Sequence, residues 1–524
     1  MQQWREGQRA GIQFVDSVHG SIPVYTDRPQ NLVEVLNRSV ERFSSKNALV
    51  EEHRRITYQE LLEKSKILAA YLQSQCQIQK GERVGLLMRN SIEFAVSAFG
   101  VIQAGGIAVS INTKLNPQEI DYIFRQSNIQ VLIVDDEIFE KIESVVGSIR
   151  VLKESEVLSL HPNLKKPFVP VSLDEEDPAF ILYTSGTTGR PKGATLTHRN
   201  AIHACINYQR CYELDHTDST LIAVPIFHGT GLFGQLITFL YLGGTVVLLR
   251  TFQALKMLEL CEREKVTHTI CVPTIYLYLL EEPTHTRFQL HLKKIGVGGS
   301  AMMTKLYNNL KQWLPEIHII NTYGLTEATS PAIITPMERA DDKIGAIGIP
   351  SPVTLAKVVD VNTREEVGPK QSGELLLKGP LIIPYYWDNP EGTRKGIIDG
   401  WLQTGDIAYQ DEEGFLYVLD RVKDMINCGG EKVYSAEVEN ILYSHPKVLE
   451  AAIIPFPDAK YGEIVKAIIV AKPGEVVTEE EIRSWVATHL AKYKVPRIVE
   501  FASQLPRNAA GKVMKHLLKG DITA

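Results

Sequence analysis

A change of period that repeats along the first half of the chain constrains its fold more than any other feature. Short apolar strands alternate with segments of helical spacing. Thr57 and Glu60 form a capping box ahead of the apolar-periodic stretch Leu61–Leu72. "RVGLLM" (Arg83–Met88) then reads as a buried strand, and Ser91–Gln103 as a helix closed by Gly105–Gly106. "IAVSI" (Ile107–Ile111) is the next strand, and "VLIVD" (Val131–Asp135) follows a helix beginning at Pro117. The pattern recurs at Thr220–Val224, Thr245–Leu249, Thr269–Val272 and Lys294–Val297. Strand–helix–strand at this rhythm implies an α/β fold of parallel sheets covered by helices. After about Lys357 short strands and turns dominate ("AKVVD", "GELLLKG", "GFLYVLD"), which suggests a small β-rich subdomain. From Asp420 an α+β unit is expected. Its helices fall at Ser435–Tyr443 and Thr478–Leu490, its strands at Val448–Pro455 and Ile464–Ala471. The expected domains are therefore 1–420 and 421–524.

A chain of 524 residues is too long for one ordinary core, in keeping with that division. Its net charge of −6 argues against a general nucleic-acid binder, which needs a basic excess. The charge is uneven, however: from Ile482 onward eight Lys and Arg face two Asp and Glu, either a solvated surface or a basic tail for an anionic ligand. The six cysteines form no CxxC pair and no zinc spacing with histidine, so buried free thiols in a reducing compartment are expected. "MQQWREGQRAG" lacks the apolar core of a signal peptide. The most apolar region, Leu221–Leu249, is broken by Pro225 and Gly243–Gly244 before it reaches the ~20 residues of a membrane helix. No integral membrane segment and a cytoplasmic location are expected.

The string "YTSGTTGRPKG" (Tyr183–Gly193) follows an apolar strand, Ala179–Tyr183, and precedes a helix with Thr197 or Asn200 near its start. Glycines let backbone N–H groups face an anion. Thr184, Ser185, Thr187 and Thr188 add hydroxyl donors, and Lys192 a point charge. A Walker loop it is not: Pro191 stands where the second glycine belongs, and Gly193 follows Lys192 where Ser or Thr is required. A second string, "GVGGSA" (Gly296–Ala301), fits GxGxxG/A, but no acidic residue ends a strand about 20 residues on, as a dinucleotide site needs. The alternative use is backbone lining of an adenine pocket.

Five strings occur in one order: "YTSGTTGRPKG", "NTYGLTEAT" (Asn321–Thr329), "GWLQTGD" (Gly400–Asp406), "DRVKDMINCGGEKVYSAEVE" (Asp420–Glu439) and "LPRNAAGKVMK" (Leu505–Lys515). Together they resemble the adenylate-forming superfamily of acyl-CoA synthetases, peptide-synthetase adenylation domains and luciferases. The likeness runs from about Asn31 to Lys515. It implies a large adenylation domain and a small mobile C-terminal lid. It also implies two steps: a carboxylate attacks the α-phosphate of ATP to give acyl-adenylate and pyrophosphate, then a thiol displaces AMP. By the family pattern the Thr184–Lys192 loop, with Gly186 and Gly189, would hold the β- and γ-phosphates. Glu327 would bind Mg²⁺, a hard cation suited to carboxylate and phosphate oxygen. Thr326 would touch the α-phosphate. Tyr323 would stack on adenine, beside Asn321, Thr322 and the Gly298–Ser300 backbone (Gly299 and Ser300 foremost). Asp406 would accept from the ribose hydroxyls with Arg421 in support. Lys512 would bridge the substrate carboxylate and the α-phosphate. Lys423 occupies the hinge position, Gly429–Gly430 would leave room for the pantetheine arm of coenzyme A, and Lys432 would reach its phosphates. Asp420 stands before Arg421 where glycine is common.

"VPIFHGTGLFGQLITFLYLGG" (Val224–Gly244) resembles the segment that lines the acyl pocket, with His228 as lining and Gly324 nearby. It carries no acidic residue to hold an α-amino group, so an apolar fatty or aryl acid is expected rather than an amino acid. Twelve residues follow Lys512, which leaves no room for a fused carrier domain. A free-standing enzyme using ATP, Mg²⁺ and coenzyme A is expected. A ligase loading a separate acyl-carrier protein is the alternative, and a second copy of the chain is a further candidate partner. A module that had lost its chemistry should have lost Glu327, Arg421 or Lys512, and all three are present.

Overall fold

The computed structural model describes residues 4–161, 168–184, 190–300, 302–507 and 513–518. The chain divides into two compact units, Met1–Lys357 with Leu376–Gln403, and Val358–Leu375 with Thr404–Ala524.

The strands expected in the first unit fall within a residue or two of the apolar runs, and with others, such as Asn47–Glu51 and Lys192–Thr197, they sort into two large sheets. One has six strands in the order Lys192–Thr197, Pro178–Thr184, Ile107–Ser110, Arg83–Leu87, Val131–Val134 and Arg150–Lys153. All its pairings are parallel except that of Lys192–Thr197 with Pro178–Thr184. The other has nine strands. Its parallel centre runs from His318–Tyr323 through Lys294–Val297, His268–Cys271, Ser219–Ile222 and Thr245–Leu248 to Asn47–Glu51. Short antiparallel strands close it at both ends, so no parallel strand is left as an edge. The covering helices start at side-chain caps. Thr57 and Glu60 form the expected capping box on Tyr58–Ser74, Ser91 caps Ile92–Gln103, and Thr197 caps His198–Cys211. Ile92–Gln103 is buried along its whole length and is mostly apolar, with Glu93 paired to Arg54 and Gln103 bonded to Ser65.

The second unit holds the antiparallel pair Trp401–Gln410 and Leu416–Arg421 from Thr404 onward. It continues into a five-stranded sheet in which the long strands Val448–Asp458 and Gly462–Ala471 pair antiparallel. The helices Ser435–Tyr443 and Glu479–His489 bury Val438, Leu442, Ile482 and Val486 in one cluster with Ile453, Val465 and Ile469. All six cysteines are free, and five are buried. Among the described residues no helix is long and apolar enough to cross a membrane.

Several histidines are locked neutral inside the first unit. His203 Nε2 accepts the backbone N–H of Tyr25 at 3.3 Å, so its proton sits on Nδ1, 2.9 Å from the Arg199 carbonyl. Burial pushes His203 and His268 down to about 3 and His198 down to about 4. The unfolded chain therefore binds protons that the folded chain refuses, and the stability these groups lend is complete above about pH 6.5 and is lost as pH falls. The thermal midpoint is expected to drop steadily from pH 7 to pH 5. A flat profile across that window would contradict the neutral assignment.

Candidate active site

The "YTSGTTGRPKG" string joins the two antiparallel strands of the six-stranded sheet. Thr184 and Lys192 stand opposite each other in the ladder, and Ser185, Gly186, Thr187, Thr188 and Gly189 lie outside the described residues. The connection is thus anchored with a hydroxyl on one side and an ammonium on the other. Lys192 Nζ lies 5.3 Å from the centre of the Tyr386 ring. Glu327 sits on the 3₁₀ turn Thr326–Ala328, just past the strand His318–Tyr323. Its Oε1 accepts from Thr184 Oγ1 at 3.2 Å and from the Tyr386 hydroxyl at 2.9 Å. Thr184, Lys192 and Glu327, distant in sequence, are therefore gathered around one tyrosine that sequence reasoning did not single out. Tyr386 gets there because Tyr385–Trp387 runs beside the Lys192–Thr197 strand. Thr195 N donates to Tyr385 O at 3.2 Å and Trp387 N to Gly193 O at 2.7 Å.

The Asn321–Thr329 string bends sharply around this point. A Cβ on Gly324 would sit 3.0 Å from Ser330, so glycine lets the two arms of the bend approach without a shift of Ser330. Asn321 Nδ2 donates to Ala346 O at 2.8 Å. Thr322 is buried with its hydroxyl against that of Tyr212, which directs it into the core. Tyr323 and Thr326 are half-buried, whereas Gly299 and Ser300 are exposed at the end of the strand Lys294–Val297.

The expected acyl-pocket wall is a π-helix, Leu232–Ile237, between short α-turns. π-Helical turns concentrate at functional sites. Gln235 pins this one to the nine-stranded sheet: its side chain donates to Ile270 O and accepts from Ile270 N, both at 3.2 Å. His228 precedes it, with its ring 4.7 Å from that of Phe227. Its Nε2 is buried and has no partner among the described residues. Burial first, and then Lys114, push its pKa down to about 4, so the ring is neutral at ordinary pH. Ile226, Phe227, Leu232, Phe233 and Leu236 are buried around this segment. Asn90, also unforeseen, fixes its entry: Nδ2 reaches the carbonyls of Ile222, Val224 and Leu249, and Oδ1 accepts from Ile226 N.

In the second unit Asp406 and Arg421 face each other across the strand pair, with Oδ1 to Nε at 2.6 Å. Asp406 is 4 % exposed, so the pair presents mainly the guanidinium to solvent. Asp420 has a use the glycine of the family pattern could not serve: its carboxylate accepts the N–H groups of Arg421 and Ser435, tying the strand to the helix Ser435–Tyr443. Lys423 is exposed just past that strand. Gly429 and Gly430 form the tip of a hairpin with φ of +64° and +93°, and Gly430 N donates to Asn427 Oδ1 at 3.0 Å. Lys432 is half-buried on the returning strand. Lys512 lies outside the described residues.

Among the described residues no group of three or more His, Cys, Asp and Glu could by itself hold a metal. A single carboxylate with hydroxyls beside it suits a hard cation that takes most of its ligands from substrate phosphates and water.

Residues 36–387 match the family described as AMP-binding enzyme, and residues 437–512 match the AMP-binding enzyme C-terminal domain. A long-chain-fatty-acid–CoA ligase of Bacillus subtilis (strain 168) is 33% identical over 93% of this chain and 94% of its own length. A feruloyl-CoA synthase of Amycolatopsis sp. is 35% identical over 88% of this chain and 92% of its own. The o-succinylbenzoate CoA synthetase of Bacillus subtilis, solved with its acyl-adenylate intermediate, superposes with a TM-score of 0.85 at 30% identity, covering 94% of this chain and 98% of that one. The same enzyme solved with ATP and magnesium superposes with a TM-score of 0.84 at 30% identity, covering 94% and 100%.

Proposed function

The chain belongs to the AMP-binding enzymes, the adenylate-forming family, and on that premise we propose that its acid is an apolar monocarboxylate, fatty or aryl. It is an AMP-forming acid–thiol ligase, using ATP with Mg²⁺ and then coenzyme A. The substrate carboxylate attacks the α-phosphorus of ATP, a new bond forms between a carboxylate oxygen and that phosphorus, and pyrophosphate leaves with the α–β bridging oxygen. The thiol of coenzyme A then attacks the acyl carbon, and AMP leaves. Both steps bring anions together, so alignment and neutralised charge are what the protein must supply.

Lys192 and the Thr184 hydroxyl border the loop that would grip the departing pyrophosphate, and Glu327 offers the carboxylate for Mg²⁺, which when bound neutralises phosphate charge. Arg421, steadied by Asp406, would lie along the ribose. Thr326 and Lys512 would meet the α-phosphate. Lys423, exposed past the strand Leu416–Arg421, is the proposed hinge between residues 1–420 and a mobile lid, and the Gly429–Gly430 tip with Lys432 would meet coenzyme A.

One observation carries the assignment of the acid. The His228–Leu242 segment is mostly buried and has no acidic side chain; Gln235 and Thr238 spend their polar groups on protein partners, and the imidazole of His228 is neutral. A substrate ammonium would find no counter-ion there and would pay the full penalty of desolvation. Pyrophosphate release across a panel of fatty, aryl and amino acids is expected to favour the first two classes by at least about tenfold, the worth of one or two buried methylenes. Preference for an amino acid would sink the proposal. Thioester formation by the purified enzyme with coenzyme A as sole acceptor would set aside the carrier-protein alternative.

A further inference from the structure

Tyr386 is 8 % exposed, and its two ends meet two different charges. Its hydroxyl donates to Glu327 Oε1 at 2.9 Å, and the face of its ring lies 5.3 Å from Lys192 Nζ. The backbone around it is held on three sides. Tyr386 N donates to Thr393 Oγ1 at 2.9 Å, Trp387 N to Gly193 O at 2.7 Å, and Ile383 N to Glu327 O at 3.0 Å. The segment that carries the tyrosine is therefore tied both to the strand of Lys192 and to the turn of Glu327. Moving either charge relative to the other would strain these ties.

We propose that Tyr386 is a positioning residue that sets the Glu327 carboxylate and the Lys192 ammonium in one fixed relation. A glutamate side chain has a broad terminal torsion, and a carboxylate free to rotate presents a changing oxygen to a cation. Two hydroxyl donors on Oε1, from Thr184 and Tyr386, restrict that freedom. A lysine is a point charge on a flexible stem, and the electron-rich ring face gives it a preferred station without neutralising it. The tyrosine thus orders a metal-binding oxygen and a phosphate-binding cation before MgATP arrives. This inference rests on the function proposed above and adds to it a residue whose part is confined to the first half-reaction.

Tyr386→Phe keeps the ring and its contact with Lys192 and removes the hydroxyl alone. A hydrogen bond to a charged group is worth a factor of roughly 10 or more. The Mg²⁺ concentration giving half-maximal acyl-adenylate formation is therefore expected to rise about tenfold. Excess Mg²⁺ should restore most of the rate, and thioester formation from supplied acyl-adenylate and coenzyme A should be unchanged. Tyr386→Leu removes the ring face as well and should also weaken binding of the metal–nucleotide complex. Binding of Mn²⁺–ATP followed by electron paramagnetic resonance gives a readout independent of turnover, and should weaken in both variants. If Tyr386→Phe shows wild-type Mg²⁺ dependence and wild-type Mn²⁺–ATP binding, the inference is overturned while the ligase assignment stands. If both half-reactions fall equally, Tyr386 serves only packing, and the inference again fails. Absence of adenylate formation by the wild-type chain with every acid tried would instead overturn the function itself.

Discussion

Replacing Lys512 by Ala is expected to slow acyl-adenylate formation by about 10²- to 10³-fold, the effect of removing one preorganised donor from a developing charge. Thioester formation from supplied acyl-adenylate should be nearly untouched. The proposed role places the ammonium between the substrate carboxylate and the α-phosphate, where negative charge shifts during the first step only. Lys515, three residues on, cannot stand in. Its Nζ is 2.8 Å from Glu439 and also holds the Ser435 hydroxyl, at the base of the helix Ser435–Tyr443. Glu439 is itself half-buried, and its desolvation raises its pKa against the pull of Lys515, so withdrawing that lysine would leave a half-buried carboxyl without its cation. ATP–pyrophosphate exchange would follow the first step and thioester absorbance the second. Equal loss in both would refute the division of labour, and Lys512→Arg should recover part of the first step by restoring charge.

Asn90→Ala is expected to lower the stability of the first unit by about 3 to 5 kcal/mol, since several buried backbone groups lose their partner at ~1–3 kcal/mol each. The amide of Asn90 is 4 % exposed. It touches Val224 O and Leu249 O at 3.0 Å, Ile222 O at 3.2 Å, and receives Ile226 N at 2.8 Å. Asn90 follows a strand of the six-stranded sheet, and its partners end two strands of the nine-stranded one, so a single side chain couples the layers. Its loss should also loosen the segment leading to His228. Chemical denaturation would measure the first effect and the Michaelis constant for the acid the second. Asn90→Asp keeps the acceptor for Ile226 but turns the donor into a repelling oxygen, and should be no better than alanine. An unshifted denaturation midpoint in Asn90→Ala would show that the segment holds itself.

The strands and helices around the site were legible because each carries its own burial pattern. Lys294–Val297 and Ser435–Tyr443 fall at the expected residues. Periodicity records which face is buried, however, and says nothing of the partner. The sorting of strands into sheets of six and nine, and the pairing of Asn47–Glu51 with a strand past residue 240, left no local mark. The π-helix was read only as an apolar wall, and the Gln235–Ile270 bonds that hold it to the sheet join residues 35 apart, leaving no local mark. Glu327, Asp406 and Arg421 stood out as candidates through strings of neighbours. Tyr386 and Asn90 act through residues far away in sequence, and a tyrosine in "IIPYYWDNP" or an asparagine in "LLMRNSIEF" looks like packing or capping until the backbone brings its partner near.

The pairing of Val50 with Val247 also bears on how the protein is made. About 200 residues separate the two, so at roughly 5 to 20 residues per second a ribosome exposes the first strand, paired only with Arg54–Thr57, for about 10 to 40 s before this parallel neighbour exists. The six-stranded sheet, complete at Thr197, can assemble during that wait. Ser39 waits about as long for the Leu240 carbonyl, and Lys46 for that of Gly243. The helix Leu32–Phe43 and one edge of the strand Asn47–Glu51 therefore find these partners late, and a nascent chain halted before Leu248 has that apolar strand paired only with Arg54–Thr57, its other edge open for a chaperone to shield.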